Sequence, residues 1–272
     1  MNNETPRRLA LETTKILAEV DQGVGWITFN NPERRNAVSL EMWRGLGQAA
    51  DAFEADSAVR VVVLRGAGGK SFAAGADISE FEQHRANAQQ KKAYGEIAAR
   101  GHQGLTRLTK PLIAMVQGFC IGGGLALALI ADVRFAGTSS RFGIPAAKLG
   151  LGYEYAGIAA LARLVGPSAA KDILFSARFL EAQEALRIGL INFVTDDAQL
   201  EAQVRNYVQN IAAHAPLTLH AVKAAVRVFE RYSIDAGATE VDALVDRCFD
   251  SEDYQEGRRA FLEKRPPRFK GI

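Results

Sequence analysis

The first part of the chain carries two different hydrophobic periods. Apolar and polar residues alternate over 15–20 and 25–30, on either side of an Asp-Gln-Gly turn, and this period of two predicts a β-hairpin. After Ser39, a residue type favoured at the N-cap, apolar residues recur at helical spacing and predict an amphipathic helix. Its buried face is expected to comprise Met42, Leu46, Ala49, Ala50 and Phe53.

Further along, short apolar runs are typical of buried strands. They cover residues 59–64, 112–116 and 133–136. From about residue 155 the chain is almost entirely helical, and Pro266 and Pro267 end the last helix. The front two thirds therefore indicate an α/β fold, and the back third a helical region.

Residues 79–109 have a helical but polar pattern. Three glycines, Gly95, Gly101 and Gly104, interrupt it. We therefore expect this segment to be a mobile cover rather than part of the core.

The composition is that of an ordinary soluble globular protein. Of 272 residues, 48% are hydrophobic and 24% are charged, and the formal net charge of +2 gives no reason to expect a nucleic-acid partner. The longest apolar run, Leu125–Ala131, is far shorter than the ~20 residues of a membrane-spanning helix, and the polar N-terminal segment has no apolar signal-peptide core. We expect a cytoplasmic protein that binds neither nucleic acid nor membrane.

The cysteines and histidines indicate neither a disulfide framework nor a metal site. The chain has only two cysteines, Cys120 and Cys248, and none of its four histidines lies at ligand spacing with another ligand. Because no histidine lies in the same stretch as Cys120, we interpret Cys120 as a small buried hydrophobe rather than a nucleophile.

The segment LRGAGGKS, residues 64–71, is similar to a phosphate-binding loop but fails on register. A P-loop requires a glycine where the chain has Leu64, and a dinucleotide fingerprint begun at Gly66 requires a glycine where it has Ser71. The sequence therefore disfavours a nucleoside triphosphatase and a nicotinamide enzyme.

The segment GFCIGGG, residues 118–124, lies between a predicted strand and a helix predicted to begin near Gly124. In one interpretation, unpaired N–H groups at the start of the helix stabilise a ligand oxygen that approaches the backbone closely, as in an oxyanion hole. In the other, the glycines serve only a tight, closely packed turn. This stretch alone favours neither interpretation.

A second segment, FAAGADI at residues 72–78, also follows a strand and places small residues before a predicted helix. Together the two segments resemble those of the crotonase (enoyl-CoA hydratase/isomerase) superfamily, and the resemblance covers nearly the whole chain. Three further segments carry it, namely NNPERRNAVS (30–39), RFGIPAAKLGL (141–151) and AFLEKRPPRFKG (260–271).

This resemblance implies a crotonase-like spiral of β-β-α units. Residues 1–200 would form the α/β core that carries the acyl-CoA site. Residues 201–272 would form a C-terminal helical region that makes homotrimers or homohexamers.

The resemblance also implies roles for individual residues. The peptide N–H groups of Ala76 and Gly123 would hold the thioester carbonyl oxygen of an acyl-CoA substrate. The residues expected along the coenzyme A, mostly through their backbone, are Arg35, Ala37, Ala74, Asp77 and Ile78, with Phe261 and Lys264 reaching it from a neighbouring subunit. Coenzyme A would enter only as part of the substrate, so no separate cofactor and no metal are expected.

Two alanines depart from the pattern of the superfamily's hydratases. Their two catalytic glutamates correspond to Ala126, two positions after the glycine triplet, and to Ala146, after the proline of FGxP. Alanine neither activates water nor delivers a proton. Decarboxylation needs no base, because loss of CO₂ leaves an enolate that the N–H groups stabilise, and only a proton donor is then required.

The segment LGLGYEYAGI, residues 149–158, offers two candidate proton donors. It resembles the corresponding segment of methylmalonyl-CoA decarboxylases, which implies a functional tyrosine at Tyr153, although those enzymes have a carboxylate where this chain has Ala126. Dienoyl-CoA isomerases of the superfamily carry an acidic residue near Glu154, which would serve an isomerase or hydratase. The remaining interpretation gives both side chains a purely structural role.

Three classes of function are therefore open. The sequence favours an acyl-CoA enzyme that works through a thioester enolate, leaning to a decarboxylase-like lyase, with an enoyl-CoA hydratase/isomerase that uses Glu154 as the alternative. The second class is a non-catalytic CoA-thioester-binding protein, which the missing glutamates support. The third is an unrelated α/β structural or interaction protein.

Overall fold

Seven strands form the main sheet of the computed structural model, which describes residues 6–77, 80, 88–149, 155–231, 247 and 250–272. In spatial order they are β1 (Arg7–Arg8), β2 (Ile16–Asp21), β3 (Val24–Phe29), β4 (Val61–Gly66), β6 (Leu112–Val116), β8 (Val133–Gly137) and β11 (Phe193–Thr195). The first three pair antiparallel, which confirms the predicted hairpin, and the others pair parallel.

Four short strands form a second sheet. Their spatial order is β10 (Leu180–Glu181), β9 (Arg141–Gly143), β7 (Phe119–Ile121) and β5 (Ser71–Ala73). Strands β5, β7 and β9 pair parallel, and each follows a strand of the main sheet within a few residues. The chain thus alternates between the two sheets three times, as expected for the spiral of β-β-α units.

Eight α-helices complete the described architecture. They are α1 (Leu40–Ala55), α2 (Ala88–Arg107), α3 (Gly123–Ala128), α4 (Tyr155–Ser176), α5 (Ala182–Arg187), α6 (Leu200–Ala212), α7 (Pro216–Arg231) and α8 (Glu252–Glu263). The prediction of an almost entirely helical chain after residue 155 is wrong in one respect, because β10 and β11 lie there and extend the two sheets.

Helix α1 forms where its hydrophobic period predicts. The Ser39 hydroxyl caps it by accepting a hydrogen bond from the Met42 N–H group (3.4 Å), and all five residues predicted for its inner face are buried. Burial of a large apolar side chain contributes about 1.5–3 kcal/mol. This inner face anchors α1 in the core cluster that also contains Phe29, Leu64 and Phe72.

Helix α2 corrects the prediction of a polar cover over residues 79–109. It runs through all three glycines, and Leu105 and Leu108 are buried in the core. A Cβ at Gly101 would lie 2.4 Å from the Trp43 carbonyl oxygen, so this glycine is a point of close contact with α1. The described part of the segment therefore packs one face on the core. Gly101 and Gly104 permit its close packing against α1, and none of the three glycines interrupts the helix.

A second apolar cluster covers the opposite face of the main sheet. Trp26 and Val63 pack there against Val204 and Val208 of α6. Helix α6 therefore packs directly on the sheet. The assignment of residues 201–272 to a C-terminal helical region that forms oligomers stays a prediction. In the described part of the chain, every helix is too short or too polar to cross a bilayer.

Candidate active site

The loop at residues 30–38 and the segment at residues 72–77 are joined by backbone hydrogen bonds. The Val38 N–H group donates to the Gly75 carbonyl oxygen (2.8 Å), and the Asp77 N–H group donates to the Val38 carbonyl oxygen (3.0 Å). These two bonds form a parallel bridge with Ala76 between them. Two of the segments expected to line coenzyme A therefore lie side by side.

Two buried asparagines, which the sequence analysis missed, fix the 30–38 loop. The Asn36 amide donates to the carbonyl oxygens of Ala67 (3.0 Å) and Ser71 (2.7 Å), while its own oxygen accepts from the Asn31 N–H group (2.9 Å). Asn36 has a φ of 56°, in the left-handed region that asparagine tolerates better than most residues. The only sequence signal for this role was an asparagine, a residue type common in left-handed turns, directly after Arg34 and Arg35.

Arg34 and Asp77 reinforce the same junction. The Arg34 guanidinium donates to both carboxylate oxygens of Asp77 at 3.2 Å, and the Asp77 side chain is buried. Because the Asp77 carboxylate contacts Arg34 and its N–H group contacts Val38, Asp77 joins the 72–77 segment to the 30–38 loop. Its expected contact with coenzyme A stays a prediction.

The three glycines at positions 122–124 serve three different purposes. Gly122 has φ 54° and ψ −116°, a conformation that L side chains rarely adopt, and its N–H group donates to the Gly143 carbonyl oxygen (2.8 Å). A Cβ at Gly124 would lie 2.0 Å from the Ala73 carbonyl oxygen, so close packing requires glycine there. A Cβ at Gly123 would meet no atom closer than the Ala76 nitrogen, at 3.6 Å.

The amides of Ala76 and Gly123 are therefore neighbours. Within the described residues, neither N–H group donates to a protein acceptor. Both residues are half-buried, where an unpaired backbone donor is unusual. Two such donors held side by side by the surrounding backbone are suited to one oxygen atom that carries developing negative charge.

Ala126 and Ala146 lie on segments that the Gly122–Gly143 hydrogen bond brings together. Ala126 is in the second half of α3, and Ala146 is in a 3₁₀ turn (Pro145–Leu149) that follows β9. Both alanines are half-buried. Neither position supplies a group that could accept or deliver a proton.

The structure places the other predicted site residues as follows. The Ala74 N–H group donates to the Arg35 carbonyl oxygen (3.1 Å), and the Ala37 carbonyl oxygen accepts from the Asn31 amide (3.3 Å). Phe261 lies in α8, and Lys264 follows it on an exposed turn with φ 54°. The positions that lie outside the described residues are Ile78, Tyr153 and Glu154.

Cys120 is fully buried, as predicted for a small hydrophobe. Burial raises the pKa of its thiol far above the ordinary value, so the thiolate that a nucleophile requires is disfavoured. In the ranges that the structure describes, no three His, Cys, Asp or Glu side chains form a group that could hold a metal ion.

Comparison with known proteins agrees with the resemblance to the enoyl-CoA hydratase/isomerase superfamily. The family model described as enoyl-CoA hydratase/isomerase matches residues 19–272. A short-chain-enoyl-CoA hydratase of Clostridium acetobutylicum is 34% identical over 94% of this chain and 97% of its own. A carnitinyl-CoA dehydratase of Proteus mirabilis is 34% identical over 88% and 92% of the two chains. The crystal structure of an enoyl-CoA hydratase/carnithine racemase from Magnetospirillum magneticum superposes with a TM-score of 0.90 at 38% identity, over 96% and 97%.

Proposed function

The chain belongs to the enoyl-CoA hydratase/isomerase family, and from this premise we propose that it transforms acyl-CoA thioesters through an enolate. The N–H groups of Ala76 and Gly123 hold the thioester oxygen as it becomes negatively charged. The observation that carries this proposal is the pair of adjacent amides without a protein acceptor among the described residues. Coenzyme A is part of the substrate, and the reaction uses no further cofactor.

The reaction that best fits the side chains of the site is a decarboxylase-like lyase step on a malonyl-type thioester. The bond between the α-carbon and the carboxylate breaks, CO₂ leaves, and the electron pair moves into the thioester to form the enolate. A proton donor, for which Tyr153 is the candidate, then protonates the α-carbon. Ala126 and Ala146 support this step because it requires no carboxylate base at either position.

Hydration or isomerisation of an enoyl-CoA is the second candidate, and the relatives favour it. The Clostridium protein is named a hydratase and the Proteus protein a dehydratase. In this chain Glu154 would have to move the proton, since positions 126 and 146 hold alanine.

A panel of acyl-CoA thioesters, read by mass spectrometry, tests these candidates. Loss of the mass of CO₂ supports the lyase, and gain of the mass of water supports the hydratase. An unchanged mass with altered absorbance supports the isomerase. Binding without any conversion across malonyl-type and enoyl thioesters would contradict the enzymatic proposal and favour a CoA-thioester-binding protein.

Substitutions in the 153–154 pair separate the two reactions on the substrate that the panel finds. For the lyase, Tyr153→Phe should lower kcat/KM by roughly 10–10³-fold, the scale of a single lost donor or acid–base group, while Glu154→Gln has little effect. For the hydratase or isomerase, Glu154→Gln should abolish turnover and Tyr153→Phe should be mild. Wild-type rates in both variants would show that the proton comes from elsewhere.

We also propose that the molecule is a homotrimer or homohexamer. Helix α7 supports this, because three large apolar side chains on one of its faces are exposed. They are Val222 (57% exposed), Val226 (51%) and Phe229 (69%). Their spacing of four and three residues forms a continuous stripe, which is suited to burial against another chain.

A further inference from the structure

Arg34 and Arg35 are neighbours in the chain but have different surroundings. Arg34 is paired with Asp77, as described above. The exposed Arg35 guanidinium has neither a hydrogen-bond nor an ion-pair partner in the part of the chain that the structure describes. Instead, its Cζ atom lies 5.3 Å from the centroid of the Phe119 ring, within the range of a cation–π contact.

The Phe119 ring is a fixed platform. The backbone of Phe119 pairs with that of Ser71 in the second sheet, and the Ser71 hydroxyl donates to the Phe119 carbonyl oxygen (2.8 Å). The ring makes an edge contact with Phe179 at a centroid distance of 6.4 Å. Phe179 can approach because position 143 is glycine, where a Cβ would lie 2.7 Å from the Phe179 ring.

The backbone of Arg35 is equally well held. Its N–H group donates to the Pro32 carbonyl oxygen (3.0 Å), and its carbonyl oxygen accepts from the Ala74 N–H group (3.1 Å). With φ 53° and ψ 35°, Arg35 adopts the left-handed conformation and ends the 3₁₀ turn of Pro32–Arg34. The backbone and the side chain of Arg35 are thus both positioned. Its partner Ala74 lies two residues before Ala76 in the sequence.

A guanidinium that stacks on a ring keeps its N–H donors free, because those donors lie in its own plane. Such a group matches the charge and the oxygen geometry of a phosphate, the anionic group of the coenzyme A portion of an acyl-CoA. We propose that Phe119 is a positioning residue that holds the Arg35 side chain against a phosphate of the coenzyme A portion of the substrate. This inference rests on the proposed function and extends the expected role of Arg35 from its backbone to its side chain.

A double-mutant cycle read by calorimetric binding of coenzyme A tests the proposal without turnover. Arg35→Ala should weaken binding on the order of 10–100-fold, as expected for a charge-assisted hydrogen bond. Phe119→Leu should weaken it about 2–5-fold through loss of the cation–π contact. In the Arg35→Ala background, Phe119→Leu should have no further effect, because the residue acts through that guanidinium. Phe119→Tyr should bind like the wild type.

Two variants control for surface charge and for loss of an aromatic contact. Arg187→Ala removes an exposed arginine of α5, and Phe193→Leu removes a ring that stacks on Phe135 at 4.5 Å, outside the site. Both should bind coenzyme A normally.

An effect of Phe119→Leu that persists in the Arg35→Ala background would overturn the proposal, since it would show a purely structural role. So would normal binding by Arg35→Ala. A wild-type protein that binds coenzyme A but converts no acyl thioester would instead contradict the proposed function alone.

Discussion

Adjacent glycines in the 122–124 triplet make different demands on the backbone. Gly124 touches the Ala73 carbonyl oxygen so closely that any side chain displaces one of the two segments, whereas Gly123 has room for a methyl group. That room lies beside the Ala76 amide, where the thioester oxygen is proposed to bind. Stability and activity should therefore separate between two neighbouring substitutions.

We expect Gly124→Ala to lower the free energy of unfolding by about 1–3 kcal/mol or more, as for an overpacked core. Gly123→Ala should leave stability close to the wild-type value but lower kcat/KM roughly 10²–10³-fold, the scale of a lost oxyanion donor. Thermal unfolding and kinetics on the same two proteins check both statements. Full activity in Gly123→Ala would place the oxyanion site elsewhere.

Among the helices, the α1–α2 pair offers a comparable contrast. Gly95 and Gly101 lie in the same helix, but a Cβ at Gly95 would meet no atom within 4 Å, while a Cβ at Gly101 would collide with the Trp43 carbonyl oxygen. Gly95→Ala should stabilise the protein by about 0.5–1 kcal/mol through helix propensity. Gly101→Ala should destabilise it by about 1–3 kcal/mol. Urea unfolding measures both, and equal effects would contradict the close approach of the two helices.

The chain after α8 folds back along that helix. The Arg265 guanidinium donates to both carboxylate oxygens of Glu256 (2.6 and 3.0 Å), and Asp253 accepts from the N–H groups of Lys270 (2.6 Å) and Gly271 (2.8 Å). Hydrogen bonds from the Arg265 guanidinium, and secondly from Arg259 and the Arg268 N–H group, lower the pKa of Glu256 from 4.5 to about 2. The C-terminal tail is thus held by Asp253 and by the Glu256 carboxylate, which must be ionised to pair with Arg265.

A carboxyl group with a lowered pKa stabilises the folded state above its unfolded pKa, and this contribution is lost as the pH falls through the folded pKa. Glu256→Gln should therefore have a lower Tm than the wild type at pH 7, and this difference in Tm should shrink as the pH falls from about 4.5 towards 2. Thermal scans across that range measure it, with Glu252→Gln, an exposed carboxylate beside Lys270 at 4.0 Å, as the control. A loss of Tm independent of pH would contradict the ion pair.

Elements with a long local pattern were predictable, and short ones were not. The hairpin of β2 and β3 and the capped helix α1 follow from periods that repeat several times within one element. Strands β5, β7 and β9 have three residues each, too few for a period to show, and their pairing depends on partners far away in the chain. The polar pattern of α2 misled because small residues, rather than large apolar ones, make its closest contacts.

For the candidate site, the sequence pointed to two backbone segments that the structure brings together, but not to the side chains that hold them. Ala76 and Gly123 do lie side by side, but the buried amide of Asn36 and the aromatic support of Arg35 depend on contacts between distant segments. Such contacts leave no local pattern.

For the molecule as a whole, helix α7 is anchored to the sheet on one face and exposes an apolar stripe on another. The buried ammonium group of Lys223 donates to the Lys110 carbonyl oxygen and to Asp132, both at 2.7 Å, and so ties the helix to the start of β6 and β8. Burial lowers the pKa of Lys223, which Asp132 partly offsets. The apolar stripe of Val222, Val226 and Phe229 lies on another side of the helix and is exposed in the single chain.

We expect Phe229→Glu to dissociate the proposed trimer or hexamer, because a carboxylate in a buried apolar interface is strongly unfavourable. Light scattering at micromolar concentration should show a smaller particle than for the wild type. Ala202→Glu, which adds the same charge at an exposed position of α6, should leave the particle size unchanged. A wild-type monomer would contradict the assembly altogether.

The groups that are proposed to bind the thioester oxygen belong to the main chain, and this affects how the protein can diverge in evolution. Every residue except proline provides an N–H group, so substitutions at Ala76 that preserve the backbone retain the donor. Reactive side chains at positions such as 126 and 146 can then be gained or lost one at a time while thioester binding persists. A lineage built on this scaffold can exchange one reaction for another through intermediates that still recognise the substrate.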